Sequence, residues 1–201
     1  MIGDLDTLTA GFARAIEAVD LRRPQAVSSR TGAAYQPGIG PHPESQAVTL
    51  ITAEMATQPI WSRYQLGVPY GTGSRQRCDW CLGDPPAWNW AVEVKMLRMM
   101  GDNNKPNDNM LMHILSPYPA HRSALTDCVK LAESSLGSRR AVLIYAFEYS
   151  AWPSLPAIEA FEALAAERVD LGPRCQENFE GLVHPVHTQG SVFAWEVGSA
   201  R

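Results

Sequence analysis

The stretch WNWAVEVKMLRMMGDNN, residues 88–104, decides how this chain is read. Its apolar run from Trp88 to Leu97 reads as a buried strand, with Val92, Val94 and Met96 turned inward. Glu93 and Lys95 interrupt that run, two positions apart. Residues two apart on a strand point to one side of the sheet. The other side then carries Ala91, Glu93, Lys95 and Leu97, half apolar and half charged, which is unusual for a plain solvent-facing strand. A surface ion pair with Asp79 across the strands is the simple alternative.

Working outward, the period of two continues upstream. RQRCDWCLG (75–83) reads as a strand, DPPAW as a turn and NWAVEVKML (89–97) as the second arm of a hairpin. GDNNKPND (101–108) reads as a polar loop, too poor in glycine to cradle a phosphate. RSALTDCVKLAES (122–134) is expected to be a helix capped by Ser123, with Leu125, Cys128, Val129 and Ala132 buried. On it Arg122, Ser123, Asp127 and Lys130 fall roughly along one side, by default a solvated face, with a phosphate-contacting face as the alternative. RRAVLIYAFEY (139–149) reads as a central strand, LPAIEAFEALAAERV (155–169) as a helix and GLVHPVHTQGSVFAWEV (181–197) as a hairpin. Before the hairpin, residues 5–20 form an amphipathic helix capped by Asp4 or Asp6. Residues 28–43 form a Gly/Pro-rich loop, and a second helix starts near Pro43. The fold class implied is α/β, a mixed sheet flanked by helices with an extra N-terminal helix. Residues 1–40 hold that helix and its loop, and residues 41–201 hold the main domain, together one compact unit.

Bulk properties narrow the function. The chain of 201 residues is 45% hydrophobic and 19% charged, enough for a real core. Its apolar runs fall short of a membrane span, and MIGDLDTL lacks the order of a secretory signal. Four cysteines do not make a disulfide scaffold, so a cytoplasmic protein with reduced thiols is expected. The net charge of −4 argues against indiscriminate nucleic-acid binding, but residues 61–140 carry ten basic and seven acidic residues, a local net of +3.

Two adjacent strands can bring Asp79 and Glu93 together. With a main-chain carbonyl, here that of Val94, they offer an all-oxygen site suited to a hard divalent cation, Mg²⁺ above all. A neighbouring Lys95 can orient or deprotonate a water, or offset charge on a phosphorane-like transition state.

The pattern CD, 13 residues, then EVK on consecutive strands, followed by a helix and a further strand, resembles the PD-(D/E)XK nuclease superfamily over roughly residues 43–149. The resemblance implies a restriction-endonuclease-like core and Mg²⁺-dependent (or Mn²⁺-dependent) hydrolysis of DNA; double-stranded DNA is the expected partner, and a homodimer would suit cleavage of both strands. Carried over, Asp79 and Glu93 are the metal ligands and Lys95 the catalytic lysine; Glu93 and Lys95 are expected to be partly exposed in a cleft. Glu44 is the helical glutamate that joins them, with Glu54 as the alternative. Residue 78 is Cys, so the proline that often precedes the aspartate is missing. Arg75, Arg77, Arg98, Lys105, Arg122 and Lys130 are the candidates for DNA contact.

Two other readings compete. One is a non-catalytic DNA-binding or assembly module. The other is a zinc-stabilised interaction domain using Cys78, Cys81, His184 and His187. Residues 78 and 81 of a continuous strand would face opposite ways, so buried thiols are the expectation for them.

Overall fold

The computed structural model describes residues 3–201. In chain order it contains α1 (Leu5–Leu21), α2 (Glu44–Met55), β1 (Tyr64–Pro69), β2 (Arg77–Asp84), β3 (Ala87–Leu97), a short α3 (Met112–Leu115), α4 (Ala124–Ala132), β4 (Arg139–Phe147), α5 (Leu155–Ala166), β5 (Val169–Leu171), β6 (Cys175–Phe179) and β7 (Gly190–Ala200). Polar side chains start two of the helices. Asp4 accepts the Thr7 N–H at the head of α1, and Ser123 accepts the Thr126 N–H at the head of α4.

The seven strands form one mixed sheet in the order β1-β2-β3-β4-β7-β5, with β6 also pairing with β7. β1, β2 and β3 are an antiparallel meander, while β4 runs parallel to β3. A parallel neighbour needs a crossover, and residues 98–138 supply it with α4 on one face of the sheet. Gly137, at φ +77°, turns the chain into β4 where a Cβ would meet the Ala91 nitrogen at 2.8 Å.

Helices cover both faces. Leu8, Phe12 and Ile16 of α1 and Ile51 of α2 pack with Trp80, Trp90, Val92 and Val94. Leu125 and Cys128 of α4 and Phe161 of α5 pack with Ala91, Leu97, Val142 and Trp195 on the other face. Among the described residues no helix is long and apolar enough to cross a membrane.

Two expectations need correction, and one strand has no counterpart among them. The C-terminal hairpin pairs β6 with β7, and residues 181–189 only connect them. Pro185 has no N–H to give a ladder, and the HPVH segment bends onto itself instead. The helix expected over 155–169 stops at Ala166, and Val169 opens β5. β1 went unread because Gly67, at φ +63°, and Pro69 break its alternation.

Candidate active site

β2 stops pairing with β3 beyond Trp80 and Val92. Past that point β3 presents N–H groups that a regular hairpin would satisfy from the backbone of β2. Two carboxylates take them. Asp79 Oδ2 accepts the Val94 N–H at 2.9 Å, and Glu44 Oε2, from the first residue of α2, accepts the Met96 N–H at 2.7 Å. The split in the sheet therefore places acidic side chains beside the strand that carries Glu93 and Lys95.

Lys95 is the hub of the cluster. Its Nζ lies 2.8 Å from Asp127 Oδ2, 3.7 Å from Glu44 Oε1 and 3.9 Å from Asp79 Oδ2. It also donates to the Val94 carbonyl at 3.2 Å, so that carbonyl faces the same space. Glu93 lines the same cleft as Asp79, accepts from the Tyr70 hydroxyl, and lies 2.7 Å from Lys130 Nζ. Asp79, Glu93 and Lys95 line the floor of a cleft of about 850 Å³, with Asp127 and Lys130 of α4 as one wall. Glu54 is turned away and pairs with Arg22.

Burial sets the electrostatics. Glu93 is 1% exposed and Lys95 7%, so neither is the partly exposed residue the sequence suggested. α4 lies over them, because its side with Asp127 and Lys130 faces inward rather than into solvent. Burial, then the like charges of Asp127 and Asp79, push the Glu93 carboxyl well above the usual range. Burial alone would lower Lys95, but the carboxylates of Asp127, Glu44 and Asp79 outweigh it and hold the ammonium charged beyond the usual lysine range. Glu44 is raised by burial against the opposing pull of Lys95.

No family model, curated protein or solved structure matches the chain.

The remaining sequence candidates divide. Arg75, Arg77, Arg122 and Lys130 line the cleft, joined by Arg168, which the sequence reading missed. Arg98 does not line it; its guanidinium is spent on the Gly40 carbonyl and lies 3.7 Å from Asp102. Lys105 sits in an exposed turn away from the cleft.

The four-ligand zinc grouping does not assemble. Cys78 and Cys81 lie together beneath α4, on the same side of the sheet rather than on opposite sides. The strand is irregular between them, where Asp79 stands opposite Gly67 and its side chain takes the Val94 N–H. His184 and His187 lie elsewhere, against Asp102, with their potential ligand atoms within 4.8 Å of one another. That triad has the residue types of a metal site but a different hydrogen-bond logic. His184 Nδ1 accepts the N–H groups of Val186 and His187 at 3.2 and 3.3 Å. Its proton must then sit on Nε2, the atom that would have to bind the ion. His187 hydrogen-bonds Asp102 through Nε2 at 3.0 Å and Tyr149 through Nδ1 at 2.7 Å. Burial, then His187, holds His184 down to about 4, so it is neutral at physiological pH. The arrangement ties the 101–108 loop to the 181–189 connection.

Proposed function

We propose that this protein is a divalent-metal-dependent DNA endonuclease with a restriction-endonuclease-like core of the PD-(D/E)XK kind. The observation that carries the reading is the convergence of Asp79, Glu93, Lys95 and the Val94 carbonyl at the sheet's split, on the floor of an arginine-lined cleft. The order α2, antiparallel β1–β3, α4, parallel β4 agrees with the order the resemblance implies.

The donor set fits a hard cation. Asp79, Glu93 and the Val94 carbonyl offer oxygen only, the ligand type Mg²⁺ and Mn²⁺ accept. Four carboxyl groups (Glu44, Asp79, Glu93, Asp127) face two ammonium groups (Lys95, Lys130), and a divalent ion would favour the ionised form of Glu93 that burial and its acidic neighbours oppose. Such an ion would lower the pKa of its bound water and neutralise phosphate oxygens. Asp127, Glu44 and Asp79 favour the ammonium form of Lys95, which would orient the attacking water and offset charge on the phosphate. Asp127 and Glu44 hold Lys95 in place. Arg75, Arg77, Arg122 and Arg168 meet the phosphate backbone. One such site per chain makes a homodimer the natural unit for cutting both strands. The four unpaired cysteines suit a reducing compartment such as the cytoplasm.

Incubating supercoiled plasmid with the protein and Mg²⁺ tests the reading. Nicked or linear product that EDTA abolishes is the expected result. Intact plasmid retained by the protein in Ca²⁺ would favour the assembly module instead.

A further inference from the structure

Glu93 carries a second cation that the reaction does not call for. Lys130 Nζ lies 2.7 Å from Glu93 Oε1 and 2.8 Å from Asp127 Oδ1. The same ammonium stands over the Tyr70 ring, 5.0 Å from its centre, while the Tyr70 hydroxyl donates to that same Glu93 oxygen. Every strong partner of Lys130 is therefore at the site.

The two lysines differ in freedom. Lys95 has a side chain 9% exposed and is enclosed by three carboxylates, so it has nowhere to go. Lys130 has a side chain 22% exposed, comes from the last turn of α4 and lines the cleft. A flexible four-carbon stem with its head at a cleft wall can swing outward without moving the backbone.

The Glu93 oxygen that Lys130 occupies belongs to the pair of carboxylates assigned to the ion. An ammonium and a divalent cation on one carboxylate, in a buried setting, repel strongly. We propose that Lys130 is a built-in stand-in for the metal: its ammonium holds Glu93 in place until a divalent cation takes the carboxylate, and then turns into the cleft. There it joins Arg75, Arg77 and Arg122 on the surface that faces phosphate. Metal arrival then both loads the site and adds a positive charge to the cleft. This inference rests on the metal reading of Asp79 and Glu93.

The test is calorimetric titration of the full chain with Ca²⁺ at fixed pH and ionic strength, for wild type, Lys130→Met and Lys130→Arg. Lys130→Met is expected to bind at least about tenfold more tightly, close to 1.4 kcal/mol, because the competing charge is gone. Lys130→Arg keeps the charge and is expected to bind no more tightly than wild type. A second measurement needs no variant. Acetylation of wild-type lysines, read by peptide mass spectrometry, should speed up several-fold at Lys130 when saturating Ca²⁺ is present. Wild type that binds Ca²⁺ while Lys130→Met gains nothing, or Lys130 labelling that Ca²⁺ leaves unchanged, overturns the stand-in role alone. Ca²⁺ binding to neither protein overturns the metal reading and this inference together.

Discussion

Two polar clusters are buried near β3, and each gathers residue types that sequence readers associate with metals. Under α4, Asp79, Glu93, Asp127 and Glu44 surround Lys95 and Lys130. Near the 101–108 loop, Asp102 meets His184, His187 and Arg98. The first gathers four carboxyl groups around two ammonium groups, with burial and like charges favouring a proton on Glu93, and it opens on a cleft. In the second, Arg98 offsets Asp102 and both imidazoles are fully buried and held below their usual pKa, chiefly by burial. Asp102 itself, which burial would raise, is lowered by the His187 hydrogen bond and by Arg98. Proximity of ligand types does not by itself separate the two clusters as candidate cation sites. Acceptor atoms with free lone pairs and a route from solvent do.

Removing the hub of the first cluster should have the largest effect. Lys95→Ala breaks the buried pair with Asp127, leaves that carboxylate only Lys130, and takes the ammonium from Glu44 and Asp79; breaking a buried pair costs about 3–5 kcal/mol. Chemical denaturation would read that loss. A value under 1 kcal/mol would mean that the cluster is far more hydrated than its burial indicates.

Glu93→Gln keeps the shape and the Tyr70 contact but removes a ligand charge. Mg²⁺-dependent plasmid cleavage should fall at least about a hundredfold, roughly 2.7 kcal/mol in the barrier. Cleavage at the wild-type rate would remove Glu93 from the site.

The second cluster should respond in the opposite sense. His187→Phe removes the hydrogen bonds to Asp102 and Tyr149, at a cost of about 1–3 kcal/mol of stability. Ca²⁺ affinity and cleavage per folded molecule should not change. A bound transition metal in the purified wild type, lost in this variant, would break the contrast between the clusters.

The smallest effect is a slope with pH. Folded Glu93 keeps its proton above the ordinary glutamate value of 4.5, so over that window the folded chain binds more protons than the unfolded one. Its contribution to stability therefore falls as pH rises, by at most about 1.4 kcal/mol per pH unit. Glu93→Gln lacks that contribution, so the metal-free variant should gain on wild type as pH is raised from 4.5. A constant difference across that range would show that the folded carboxyl titrates normally.

Local pattern carried much of this protein. The alternation around Glu93 and Lys95 set the strand, the DPPAW turn set the hairpin, and Asp4 and Ser123 announced their helices. These signals depend on neighbours a few residues away, which a sequence shows directly. Glu44 and Asp79 beside Lys95 were legible as types, since an acidic residue in a first helical turn and one on a strand are visible without coordinates. What the sequence could not decide was which way the polar side of α4 turns. Asp127 adjoins Cys128 on the buried stripe, but a helix with charges along one side normally shows them to water. Only the crossover from β3 to β4 lays that side over Glu93 and Lys95, with partners more than thirty residues away. The break in pairing at Asp79 is likewise tertiary. It frees the Val94 and Met96 N–H groups for carboxylates, and turns Cys78 and Cys81 to one side, because β2 leaves β3 there.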